Sequence, residues 1–313
     1  MSTPRSRLLT NNLTLRHLRM VVAIVEECNL ARAAKRLNMT QSAVTKALQE
    51  VEALTAVRLF DRTNRGVVPT LFGDTLADHA RLMLHQLSNA EEHLADLRDG
   101  TGGRVAIGTL LAASAELLPK AIAQLRRERP KIIIKVVEGT DDILIHALRA
   151  GELDFVVGRL SERRETAQVT HEILMEDSAC VVARRGHPLT RHDNLDLAEL
   201  IKWEWVLPPH ETNMRRRIDS AFRDEGIEPP AHAVDSVSLL TNRQLLLDTD
   251  YLGVLPVQVA RQEALLGSLV ILPLTLGATA GVIGITTRNN TRLSPAADAF
   301  LDVLRNTAAD LRT

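Results

Sequence analysis

The clearest chemistry in the sequence lies on one short segment. Around Thr40-Gln41-Ser42-Ala43-Val44-Thr45-Lys46, the residues Val44, Ala47, Leu48 and Val51 fall on one side of a helix. Ser42, Thr45, Lys46 and Gln49 fall on the other, with Gln41 at the tip. Hydroxyls, amides and one ammonium in this arrangement can donate to and accept from base edges in a major groove. The plain alternative is an ordinary solvated helix face. Beyond it, Val57–Arg62 and Val67–Thr70 read as two short extended runs flanking Thr63-Asn64-Arg65-Gly66. An arginine at the tip of such a wing, here Arg65, suits a narrow minor groove, and an exposed turn with a solvated arginine would read the same way.

Catalytic patterns are absent from the sequence: there is no GxSxG, P-loop, HExxH or CxxC pair. Gly100-Thr101-Gly102-Gly103 precedes a strand, the wrong context for a dinucleotide site. His187, His192, His210 and His232 are irregularly spaced, and His187-Pro188 reads as a turn. No metal, no cofactor and no enzymatic activity are expected. Cys28 and Cys180 fall in segments assigned to different domains, which argues against a disulfide scaffold.

Three regions must position these residues. Short helices and a Gly/Pro-punctuated segment fill 13–71, with Leu18, Val21, Val22 and Val25 on the first helix, Ala33, Ala34 and Leu37 on the second, and Thr40 capping the third. A long helix follows over 72–99. Its seam of Leu76, Ala80, Met83, Leu87, Ala90, Leu94 and Leu97 is spaced 4, 3, 4, 3, 4, 3, a strict heptad that favours a paired helix over packing on its own domain. After the Gly-rich hinge, β-type runs alternate with amphipathic helices. Strands are expected at Arg104–Thr109, Ile132–Val137 (buried) and Phe155–Gly158, helices at Ala115–Arg129, Asp141–Ala150 and Pro295–Asp310, and the sheet as mostly parallel.

Of the 313 residues 45% are apolar but only 3% aromatic, so the cores must be aliphatic. The net charge of −1 conceals a split. Residues 1–70 hold 11 Lys/Arg against 5 Asp/Glu, a balance of +6, and the remainder holds 27 against 34, a balance of −7. A basic head on an acidic body fits a polyanion at one end. No apolar run is long enough to cross a membrane and no export signal is evident, so a cytoplasmic protein is expected.

The segment from Ala31 to Arg65 resembles the signature of LysR-type transcriptional regulators. The similarity is carried by Ala33-Ala34-Lys35-Arg36-Leu37, Thr40 to Lys46, Val51-Glu52 and Leu59-Phe60-Asp61-Arg62. Gly151-Glu152-Leu153-Asp154-Phe155-Val156-Val157-Gly158 is similar to a stretch of the family's sensing domain, and Val44-Thr45-Lys46 together with Val157-Gly158-Arg159-Leu160 resembles the branch that regulates aromatic-acid catabolism and sugar-binding protein expression. The resemblance implies a winged helix-turn-helix DNA-binding domain over 1–71, a dimerising linker helix over 72–99 and a periplasmic-binding-protein-like α/β effector domain over 100–313. The effector domain would comprise subdomain I (104–175 and 273–313) and subdomain II (176–272). Gln41, Ser42, Thr45 and Lys46 would then contact the major groove, Arg62 the backbone or the wing fold, and Arg65 the minor groove. The implied partners are double-stranded DNA with a pseudo-palindromic operator, a small-molecule effector, RNA polymerase, and other copies in a homodimer and homotetramer. Two positions depart from the family pattern: Ala56 where Gly is usual, and Ser42 where Pro is common.

Ligands of α/β sheets bind at strand C-termini and helix N-termini. Here that selects Thr109, Ser114, Thr140 and Arg159 from one subdomain, and Thr212, Ser236 and Ser238 from the other. For Ser114, Thr140 and Ser238 the commoner role of such residues is a plain helix N-cap. Arg159 is the expected anchor for an anionic ligand, because a guanidinium pairs bidentately with a carboxylate. The apolar Leu110-Leu111-Ala112-Ala113 would line either the ligand site or the core.

Overall fold

The computed structural model describes residues 12–63, 66–99, 102–160, 168–289 and 291–312. They divide into two compact units, residues 1–100 with 149–152, and residues 101–148 with 153–313.

The first unit is built from capped helices. In α1 (Leu15–Glu27), the Thr14 hydroxyl accepts from the His17 amide while the His17 ring accepts from the Thr14 amide. Asn29 caps α2 (Leu30–Arg36) and Thr40 caps α3 (Gln41–Thr55), each satisfying amides that have no partner inside the helix. Met20, Val21, Ile24, Ala33, Val44 and Val51 are fully buried between the three. The antiparallel hairpin of β1 (Phe60–Thr63) and β2 (Gly66–Pro69) follows, then α4 (Leu71–Asp99). Along the α4 seam Ala80 is buried, but Met83 and Leu94 are 53% and 68% exposed. The side chain of Leu97 lies outside the described residues.

The second unit holds two five-stranded sheets. Its strands are β3 (Arg104–Thr109), β4 (Ile133–Glu138), β5 (Phe155–Arg159), β6 (Val169–Asp177), β7 (Ala179–Arg184), β8 (Trp205–Leu207), β9 (His232–Asp235), β10 (Leu252–Pro256), β11 (Leu269–Ile271) and β12 (Gly281–Arg288). The first sheet runs β4-β3-β5-β12-β6 and the second β11-β7-β10-β8-β9. The chain passes from one to the other at Ser178 and returns through residues 272–280. The helices are α5 (Leu111–Ser114), α6 (Leu117–Glu128), α7 (Asp141–Ala150), α8 (Leu197–Leu200), α9 (Asn213–Asp224), α10 (Leu239–Asp248), α11 (Val257–Leu265) and α12 (Pro295–Asp310). Phe155 meets Phe300 edge-on at 5.7 Å in the first core, and Trp205 meets Phe222 at 5.8 Å in the second.

Three expectations are corrected. The sheets are mixed, not mostly parallel: β12 runs antiparallel to β5 and β6, and β7 antiparallel to β10 and β11. The chain joins the sheets directly at Ser178 and through residues 272–280, which hold only the short 3-10 turn Gly277–Thr279, rather than through long helical crossovers, so the returning strands run backwards. The helix expected over Ala115–Arg129 is broken at Ala115–Glu116, because Pro119 is tolerated only in a first turn and α6 starts at Leu117. The strand expected to be buried is an edge, with Ile133 58% and Val136 44% exposed.

Candidate functional sites

Gln41, Ser42 and Lys46 are exposed on α3, and Thr45 is half-buried. The Thr45 hydroxyl donates to the Gln41 carbonyl at 2.9 Å, which leaves its oxygen free to accept. Ser42 lies 3.1 Å from the capping hydroxyl of Thr40. The Lys46 ammonium has no ion-pair or hydrogen-bond partner among the described residues, and neither has the exposed guanidinium of Arg62 on β1. Arg65 lies outside the described residues.

Backbone contacts hold the hairpin beside α3. Glu52 on α3 accepts from the Leu59 amide at 2.8 Å. Ala56 ends the helix at φ +57°, the left-handed conformation that a Cβ resists. At the hairpin root the Cys28 carbonyl accepts from the Val67 amide at 3.1 Å. A Cβ on Gly66, at φ +139°, would stand 2.3 Å from that carbonyl oxygen, so only glycine fits. The Thr70 hydroxyl donates to the Arg58 carbonyl at 2.8 Å and accepts from the Gly73 amide at 3.2 Å, fixing where α4 begins. The sequence reading missed these supports, although Gly66 and the Thr70–Gly73 spacing were visible signals.

In the second unit, Thr109, Thr140 and Arg159 sit at or just beyond the C-terminal ends of the adjacent parallel strands β3, β4 and β5, with Ser114 closing the loop after β3. Thr109 is buried and its hydroxyl donates to the Leu110 carbonyl at 3.3 Å. The Ser114 hydroxyl donates to the Leu111 carbonyl at 3.0 Å at the end of α5, so it is no helix N-cap. The Thr140 hydroxyl donates to the Asp142 carboxylate at 2.5 Å. Of the neighbouring apolar loop, Ala112 and Ala113 belong to the first core, while Leu111 packs against the second sheet's cluster around Cys180 and Val259.

Arg159 is engaged at the crossing between the sheets. Its guanidinium lies 3.2 Å from the Asp177 carboxylate and donates to the Thr279 carbonyl. The Asp177 side chain is fully buried, and desolvation pushes its carboxyl above the usual range, only partly offset by Arg159. The Thr279 hydroxyl accepts from the Ala179 amide at 3.1 Å, and Arg217 on α9 donates to the Ala278 and Ala280 carbonyls. Both crossings are thereby tied together. Sequence reasoning missed Asp177, Thr279 and Arg217.

Thr212, Ser236 and Ser238 gather at the ends of β8 and β9. Thr212 caps α9, accepting from the Arg215 amide at 3.2 Å, and Ser238 caps α10. The Ser236 hydroxyl accepts from the Ser238 amide at 3.1 Å. Beside them the buried Arg215 reaches Asp219 at 2.9 Å, the Pro208 carbonyl at 3.1 Å, His210 at 3.0 Å and Asp235 at 3.4 Å. This cluster also went unread, although the Arg215–Asp219 spacing of one helical turn was its signal.

No group of three or more His, Cys, Asp or Glu among the described residues is placed to hold a metal ion. His187 is buried against Trp203 with its Nε2 3.1 Å from the Asp250 carbonyl. Among the described residues, no helix is long and apolar enough to cross a membrane.

Comparison with known proteins bears on both units. Residues 15–74 match the family model described as a bacterial regulatory helix-turn-helix protein of the lysR family, and residues 98–309 match the LysR substrate binding domain. The chain is 35% identical over 303 residues to the HTH-type transcriptional regulator GbpR of Azospirillum brasilense, covering 96% of this chain and 89% of that protein. It is 27% identical to PcaQ of Agrobacterium fabrum, covering 97% and 98%. The fold is shared with full-length CbnR complexed with its target DNA (TM-score 0.67, 20% identity, 94% and 100% covered). It is shared equally with a full-length OxyR variant from Pseudomonas aeruginosa (TM-score 0.64, 23% identity, 95% of each chain).

Proposed function

The chain belongs to the LysR family of bacterial transcriptional regulators, DNA-binding proteins with an effector-binding domain and not enzymes, and from that premise we propose a reading of its two sites. Gln41, Ser42, Thr45 and Lys46 contact the major groove of an operator half-site. Arg62 contacts a backbone phosphate and Arg65 enters the minor groove. The observation that carries this is the exposed face of α3, with Lys46 on it and Arg62 on the following hairpin both without a partner among the described residues. Lys46→Ala and Arg62→Ala are expected to weaken binding and to reduce the slope of log affinity against log salt by about one each. Unchanged affinity and slope in both variants on a mapped operator would refute the assignment.

The effector is proposed to be a small carboxylate taken at the strand ends around Thr109, Ser114, Thr140 and Arg159, with Thr212, Ser236 and Ser238 facing it from the second sheet. Arg159 would exchange the Asp177 carboxylate for that of the effector. Burial of Asp177, which favours its protonated form once Arg159 turns away, supports the exchange, and moving a residue at the crossing between sheets would couple binding to a change of shape. A neutral polyol is the second reading, favoured by the carboxylates of Asp219 and Asp235 around Arg215. Thermal unfolding of the full chain against aromatic and aliphatic carboxylates and neutral sugars separates the two. A ligand at 100 times its dissociation constant adds about 2.7 kcal/mol. Stabilisation by a carboxylate that Arg159→Ala abolishes supports the first reading; stabilisation by a sugar in both proteins supports the second.

The domain division at 71 and 99, pairing through α4, assembly into a tetramer, contact with RNA polymerase and a cytoplasmic location complete the proposal.

A further inference from the structure

A cavity of about 350 Å³ opens on the first sheet at its far end from the crossing segments. It lies between β6, β12 and the start of α12 and is lined by Thr170, Glu172, Thr287, Arg288, Arg292 and Arg305. Thr287 pairs with Thr170 across the strands, six residues along β12 from Gly281, so the cavity is roughly 20 Å from where that strand leaves the crossing. It is therefore separate from the site of Arg159.

Arg288 is only 8% exposed, and its Nε has no hydrogen-bond partner among the described residues. One terminal nitrogen donates to the Leu148 and Leu153 carbonyls, so among the described residues only neutral groups are bonded to this buried cation. Burial lowers its pKa, with Asp154 only partly compensating. A buried cation without a bonded anion is a costly arrangement that a carboxylate would relieve. Arg292, exposed on the same cavity, makes no ion pair among the described residues, and the Thr287 hydroxyl has no partner there either. Arg305 is already bound to Glu172 through two contacts of 2.8 and 2.9 Å, forming a fixed wall. Asp298 also lines the cavity, an acceptor for a donor group on the ligand.

We propose that this cavity is a second small-molecule site, taking a compact carboxylate that also carries hydroxyl or ammonium groups. Arg288 and Arg292 would hold the carboxylate, and Thr287 and Asp298 the polar remainder. The volume falls within the range of small-ligand pockets.

The test is calorimetric titration of the full-length protein with sodium D-gluconate, L-malate and L-aspartate, with D-glucitol and inorganic phosphate as controls. At least one of the three carboxylates is expected to bind saturably, and to weaken about tenfold or more in Arg292→Ala, the loss of one charged hydrogen-bonding partner. Arg292 is exposed, so that variant should fold normally, and Thr287→Val gives an independent, smaller loss. The binding event lost in Arg292→Ala should persist in Arg159→Ala, which can remove only a separate event at the strand ends. Silence with all three carboxylates overturns the proposal, as does phosphate binding equally well. Binding abolished by Arg159→Ala but not by Arg292→Ala also overturns it, while supporting the site at the strand ends.

Discussion

At φ +57° the methyl group of Ala56 crowds its own carbonyl, a conformation that costs an L-residue about 1–2 kcal/mol. Ala56→Gly is expected to recover about 1 kcal/mol, raising hydrogen-exchange protection of the α1 and α3 amides about fivefold. Gly66→Ala should do the reverse, because its Cβ would meet the Cys28 carbonyl oxygen. The two thiols differ as sharply. Cys28 is exposed, whereas Cys180 is buried and its pKa is pushed up to about 12 by desolvation. Iodoacetamide at pH 8 should therefore modify one thiol per native chain, at Cys28, and mass spectrometry should find Cys180 labelled only after unfolding.

Elements were legible where local chemistry decided them. The Thr40 cap and the apolar side of α3 follow from residue type and spacing alone. Strand β6 went unread because it is an edge strand: Thr170, Glu172 and Ile173 face outward, so its apolar residues keep no clean alternation. A bulge at Ile283/Gly284 also shifts its register with β12. Arg159 was visible at a strand end, but its partner Asp177 enters from β6, whose place in the sheet depends on β12 arriving much later. The turn after β7 supplies a prediction of its own. Buried His187 accepts from the Leu189 amide at 3.2 Å through Nδ1, while Nε2 meets the Asp250 carbonyl as a donor. Desolvation holds its pKa below the ordinary 6.5. A depressed folded-state value means that this group's stability is present above pH 6.5 and lost as pH falls below it, since protonation then favours the unfolded chain. The midpoint of thermal unfolding should fall from pH 7 to pH 5, and His187→Gln should flatten that slope even while lowering the midpoint throughout.

At the scale of the whole molecule, α4 carries an apolar seam that its own unit covers at Leu76 and Ala80, while among the described side chains Met83, Leu87 and Leu94 are exposed. A helix of 29 residues, about 43 Å long, with heptad-spaced apolar side chains facing water supports the proposed pairing through α4. Leu87→Glu with Leu94→Glu is expected to halve the mass measured by sedimentation equilibrium, leaving far-ultraviolet circular dichroism close to wild type; an unchanged mass would place the assembly contacts elsewhere. The order of strands in the second unit also sets a schedule for synthesis. In the first sheet β12 separates β5 from β6, yet it is made only after the whole of the second sheet. A nascent chain that has reached residue 272 can close the second sheet but must hold β6 without its neighbour, with the Phe155 side of the first core open until α12 delivers Phe300. The second sheet is therefore expected to close first during synthesis, with the first sheet incomplete and open to chaperones and proteases until translation has passed α12.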